Sequence, residues 1–177
     1  MSMTPPDIAA GDAVEALYEA LVQSRGSEAV HDETGRLRTA YALMLLDPTL
    51  GTPIEALGSR LRLASPLPSD VREVAILAAA SAARCVTQWS IHLPIARRAG
   101  ITVEELGDEL GEPPSFDSEI RGMVWRLALA WAVGEAGRPT DRRGVIERYE
   151  TVGLYELVTT VGYYRLLAMQ LAVFEEQ

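Results

Sequence analysis

The sequence predicts an all-α fold, a helical bundle. Apolar residues recur at helical spacing through most of its 177 positions, period-two alternation is scarce, and Gly and Pro punctuate the pattern at helix-length intervals.

Residues 12–24 carry Val14, Leu17, Tyr18, Leu21 and Val22, an i, i+3, i+4, i+7, i+8 stripe that marks one buried helix face. The Gly-, Ser- and acid-rich stretch 25–36 reads as a loop. A helix over 37–46 ends at Asp47-Pro48, and a shorter one covers 53–63, with Pro53 tolerated in its first turn. Ser65-Pro-Leu-Pro-Ser69 leads into a central pair, 70–83 and 85–99. Gly100 stops the second helix, and Thr102-Val-Glu-Glu105 is a capping box for a short helix to follow. Residues 111–117 are loop. Long helices are expected at 118–136, 141–152 and 154–175, divided by Gly137-Arg-Pro139 and Gly153. No internal repeat or low-complexity tract is visible. Residues 1–36 are expected to pack as a helix and loop on a main domain spanning 37–177.

A net charge of −9 and a pI near 4.7 argue against nucleic acid and a polybasic membrane anchor, since both need a dense basic face. The longest weakly polar run, 74–83, is too short to span a membrane. The amino terminus Met-Ser-Met-Thr-Pro-Pro shows no export signal, so the expected compartment is the cytoplasm. All sixteen cationic residues are arginine, which excludes lysine nucleophiles and Schiff bases. One cysteine, Cys85, rules out an intramolecular disulfide, and His31 and His92 have no metal-ligand spacing. The expected protein uses no metal and no cofactor.

Chemistry concentrates in Glu73 and the run Arg84-Cys-Val-Thr-Gln-Trp-Ser-Ile-His92. On a helix, Cys85, Gln88 and His92 stand i, i+3, i+7 and would share a face. Each has a plain structural reading as well. Glu73 completes an Asp70-x-x-Glu73 capping box, Cys85 suits a small buried hydrophobe, and Gln88 and His92 suit a hydrogen-bonded core. Trp89 is most simply packing. Arg84, Arg97 and Arg98 are solvated by default, or alternatively bind a substrate carboxylate.

Asp70 to Gly100 and the residues after it resemble the carboxymuconolactone decarboxylase family, which includes alkylhydroperoxidase AhpD-like proteins. Arg72-Glu73-Val74, Cys85, His92 and Ala96-Arg-Arg-Ala-Gly-Ile-Thr102 carry the likeness, with Tyr41–Pro48 and Leu157–Tyr164 as similar flanks. Gln88 stands where the peroxidase branch has its second cysteine, so the dithiol cycle has no second thiol. Thr87-Gln-Trp-Ser-Ile-His92 looks like the decarboxylase branch's Tyr-Glu-Trp-x-x-His, with an amide for the acid.

The resemblance implies an AhpD-like bundle, closer to the non-redox branch, assembling as homotrimers or hexamers with the central pair near subunit contacts. Its expected function is cofactor-free acid/base chemistry of decarboxylase, lyase or isomerase type on a small organic acid or lactone through an enolate-like intermediate. His92 would move the proton, Glu73 would tune the imidazole, and Gln88 would donate to the developing oxyanion. Cys85, Trp89 and Arg84 complete the expected site. Two alternatives stay open, single-cysteine thiol peroxidase or reductase chemistry by Cys85 and non-catalytic binding of a small molecule.

Overall fold

A computed structural model describes residues 11–175. Among these residues there are eight helices and no strand, with one isolated bridge between His31 and Leu37, so the all-α prediction holds. The amino-terminal segment read for an export signal lies outside the described residues. The described residues divide into two compact units, residues 11–64 with 170–175 and residues 65–169.

The first unit holds α1 (Asp12–Arg25), α2 (Ser27–Val30), α3 (Thr39–Leu46) and α4 (Pro48–Leu63). α1 buries Leu17 and Leu21 from the predicted stripe. α2 is a single turn within the stretch read as loop. α4 begins five residues earlier than predicted. The Asp47 carboxylate accepts from the backbone N–H groups of Thr49 and Leu50, and Pro48 opens the helix, leaving Pro53 inside it. The Thr49 hydroxyl, together with those two amides, holds the Asp47 carboxyl below its ordinary range. A Cβ on Gly51 would stand 2.0 Å from the Met44 carbonyl oxygen, so α3 and α4 need glycine where they touch. Glu55 is buried, ion-paired with Arg25, and accepts from Ser24 and Ser59 at 2.8 and 2.5 Å.

The second unit holds α5 (Ser69–Ala83), α6 (Val86–Arg98), α7 (Glu119–Ala132) and most of α8 (Pro139–Phe174). α5 is the core. Every residue from Glu73 to Ala80 is buried, which explains its alanine-rich run, because small side chains let α6 and α7 approach it. Arg84 ends α5 in the left-handed conformation (φ 51°), and the Cys85 N–H bonds the Ala80 carbonyl at 2.9 Å. Gly100, at φ 91°, stops α6 as predicted. Thr102 and Glu105 do form a reciprocal box, with bonds of 3.1 and 3.3 Å, but it closes a single turn and no helix follows.

Arginine side chains stitch this unit together. Arg97 donates to the carbonyls of Ile101, Thr102, Leu106 and Gly107 and to the Asp108 carboxylate, so its guanidinium serves the loop after α6. Arg121 bridges Asp70 and Glu105 at 2.9 Å each. Arg126 grips Asp141 through two 2.9 Å bonds, joining α7 to the start of α8.

The predicted division at Gly153 is displaced. α8 breaks at Glu150 (φ 61°), where the chain turns between two helical stretches. Gly153 answers to that turn, since a Cβ there would lie 2.3 Å from the Tyr149 Cβ. The reading of apolar runs is also corrected. An 18-residue window in α8 is apolar enough to cross a membrane by length and composition, although 39% of it is buried within the protein.

Candidate functional site

α5 and α6 lie against each other, and their facing sides bring Glu73 and His92 together. His92 Nδ1 lies 2.8 Å from Glu73 Oε2, and the side chains retain only 10% and 3% of their exposure. An ionised carboxylate only accepts, so Nδ1 carries the hydrogen facing it, and in the neutral imidazole Nε2 presents a lone pair. No described residue hydrogen-bonds Nε2. The imidazole packs edge-on to the Tyr164 ring, 4.9 Å between centroids and 89° between planes, which fixes its tilt.

Gln88 stands one turn before His92 on α6 and is 4% exposed. Its amide nitrogen donates to the Tyr164 carbonyl at 2.9 Å, while its Oε1 is buried without a hydrogen-bond partner among the described residues. Turning the amide over would set oxygen against oxygen, so the acceptor is the group left open. A buried acceptor without a donor costs about 1–3 kcal/mol, and in native proteins such an atom is met by an ordered water, an ion or a bound group.

The capping-box reading of Glu73 is overturned. Pro68 precedes the helix, Asp70 lies in its first turn bound to Arg121, and no side chain caps the backbone there. The Glu73 carboxylate instead turns across to α6. Helical spacing does not place Cys85 with Gln88 and His92, because it lies just outside α6. It is the N-cap residue, in extended conformation (φ −87°, ψ 94°), and is half-buried. Trp89 is buried, with its indole N–H donating to the Asp108 carbonyl at 3.1 Å. Arg84 is exposed, and no hydrogen bond or ion pair joins it to Glu73, Gln88 or His92 among the described residues.

Two residues that the sequence reading did not assign to the site stand at the pair. Arg72 sets its Nε 3.9 Å from Glu73 Oε1, and that nitrogen is buried with no hydrogen-bond partner among the described residues. Its signal was its adjacency to Glu73. Tyr164 meets both Gln88 and His92 from 76 and 72 positions away, a distance no spacing rule bridges.

A cavity of about 670 Å³ lies in the first unit between α1 and α4, lined by residues such as Ala16, Ala20, Thr52 and Ala56. None of the predicted site residues lines it. Among the described residues no cluster of His, Cys, Asp or Glu is suited to hold a metal ion.

Residues 48–111 match the family model of the carboxymuconolactone decarboxylase family, a stretch that contains Glu73, Cys85, Gln88, Trp89 and His92. No curated protein and no solved structure matches the chain. The likeness to this family covers residues 48–111, the stretch that holds the paired acid and imidazole.

Proposed function

We propose that the chain is a cofactor-free acid/base enzyme of lyase or isomerase type, acting on a small organic acid or lactone. The observation that carries this reading is the buried 2.8 Å contact between Glu73 and His92. The pairing fixes one tautomer and holds a base ready at Nε2, the arrangement in which a carboxylate orients a catalytic imidazole.

In this reading Nε2 takes a proton from the carbon beside a carbonyl, forming an enolate-like species, and returns it to carbon or oxygen. Glu73 stabilises the imidazolium that exists between the two steps. Gln88 offers Oε1 to a hydroxyl or acid hydrogen of the substrate. In this reading Arg72, whose Nε is 3.9 Å from Glu73 Oε1, rather than the exposed Arg84, meets the charge of a substrate carboxylate.

The supporting experiment is a mass-spectrometric screen of small acids and lactones against the wild type and His92→Ala. Turnover of at least one compound, falling 10²–10⁴-fold in the variant with helical content unchanged, is the expected result. Full turnover by His92→Ala would remove the assignment.

The single-cysteine alternative has one feature in its favour, the position of Cys85 at the start of α6, where the helix dipole favours a thiolate. It requires that the wild type consume peroxide and that Cys85→Ser does not.

A further inference from the structure

Glu73 keeps 3% of its exposure, and burial disfavours a bare charge. A carboxylate so placed stays ionised when a cation stands beside it, and two groups compete for that role. One is His92, at 2.8 Å, charged only if protonated. The other is Arg72, charged at every ordinary pH, whose Nε lies 3.9 Å from Glu73 Oε1.

Which of them supplies the charge decides the chemistry. With His92 alone, the buried pair reaches neutrality by holding an extra proton, as carboxylate and imidazolium. Both ring nitrogens are then donors, and Nε2 has no lone pair to act as a base. With Arg72 in place, guanidinium and carboxylate already sum to zero. A proton added to the imidazole would leave a net positive charge in a buried place. The neutral imidazole is therefore favoured, and Nε2 keeps its lone pair.

No other cation near the pair can take this part. On α7, Arg121 is engaged by Asp70 and Glu105, and Arg126 by Asp141; on α6, Arg97 is engaged by Asp108. Among the described residues none of these, nor Glu119 of α7, forms an ion pair with Arg72, Glu73 or His92. α8 sets the Tyr164 ring against the imidazole, and its buried Glu156 and Tyr163 neither hydrogen-bond nor ion-pair with Glu73 or His92. Arg72 Nε is itself buried without a hydrogen-bond partner among the described residues, and Glu73 is the carboxylate within its ion-pair reach.

We propose that Arg72 is a positioning residue for the proton at His92. Its fixed charge neutralises Glu73 and keeps the imidazole in the unprotonated, base-competent form at neutral pH. This rests on the acid/base reading of the same site and deepens it, because it states which protonation state the resting site holds. When Nε2 takes a proton from carbon, the three groups become net positive, and the enolate left by the same step carries the matching negative charge.

Histidine-selective ¹⁵N NMR of the full chain tests this without a substrate, in a His31→Gln background where His92 is the sole histidine. The His92 titration midpoint is expected about 1–2 pH units higher in Arg72→Met than with Arg72 in place. Arg72→Lys, which keeps the charge, should stay near the parent, and Arg72→Gln gives the same comparison should Arg72→Met not fold. Coincident midpoints, a lower midpoint in the neutral variants, or a lysine variant that behaves like them would overturn the proposal. With any compound the wild type converts, the acid limb of the kcat/KM profile should move up in Arg72→Met by the shift that NMR reads. A loss of equal size at every pH would overturn the proposal and leave Arg72 a substrate-binding or structural residue. A raised midpoint together with full turnover by His92→Ala would uphold the charge assignment and remove the enzymatic reading instead.

Discussion

His92 and Glu73 stand 19 residues apart on different helices, yet their Nδ1 and Oε2 atoms meet at 2.8 Å inside the protein. The contact joins fold and chemistry, because the bond that would orient the base also ties α6 to α5. The two roles separate by substitution. Glu73→Ala leaves a buried imidazole N–H unpaired and should lower stability by about 1–3 kcal/mol, read as a fall in the urea midpoint. Glu73→Gln keeps an acceptor for Nδ1, so its midpoint should stay near the wild type while catalysis is slowed.

Gln88→Glu would bring back the acid of the similar family pattern, but here that acid would face the Tyr164 carbonyl now bonded by the Gln88 amide. An ionised carboxylate cannot donate to a carbonyl; a protonated one can. The folded state therefore raises the pKa of this glutamate, and the cost appears as pH rises above the unfolded value. Urea unfolding should show a loss of about 2 kcal/mol at neutral pH, shrinking toward pH 4.5. A loss independent of pH would contradict this account of the amide.

Gly153→Ala should destabilise, against the ordinary preference of helices for alanine. The new Cβ would lie 2.3 Å from the Tyr149 Cβ at the turn around Glu150. Overpacking of this kind costs about 1–3 kcal/mol, measurable as a lower Tm. A rise in Tm would mean that the break at Glu150 is absent in solution.

Asp141 predicts how stability responds to acid. The hydrogen bonds from Arg126, with its charge, hold the Asp141 carboxyl below its ordinary value despite burial. A depressed carboxyl contributes stability above its unfolded pKa and loses it as pH falls through the folded value. Arg126 is 44% exposed, so solvent screens the pair, and about 1 kcal/mol is the expected scale. The stability gap between the wild type and Asp141→Asn should be full at pH 6 and close below about pH 4.

Much of the helical plan was legible because its signals are local. The stripe of α1, Gly100 at the end of α6 and the Thr102–Glu105 box all act within a few residues of themselves. Asp47-Pro48-Thr49 was equally local, an N-cap followed by proline, but the proline drew the reading toward a break rather than a start. The site was legible only in part. Gln88 and His92 share a face by helical spacing, whereas the partner of Glu73 was set by how α5 packs on α6. A capping box and an inter-helix pair use the same residue type at the same place, and only tertiary contact separates them. Cys85 shows the reverse case, since spacing that would place it on the shared face fails one residue outside the helix. Tyr164, brought in by α8, had no local signal.

The most direct measurement is solvent deuterium exchange at the carbon beside the carbonyl of small acids and lactones, followed by mass in D₂O with the wild type and His92→Gln. The account predicts enzyme-dependent exchange by the wild type that is lost in His92→Gln, with unfolding midpoints that show the variant folded. Equal exchange by the two proteins, or none by the wild type on a compound it demonstrably converts, would contradict it.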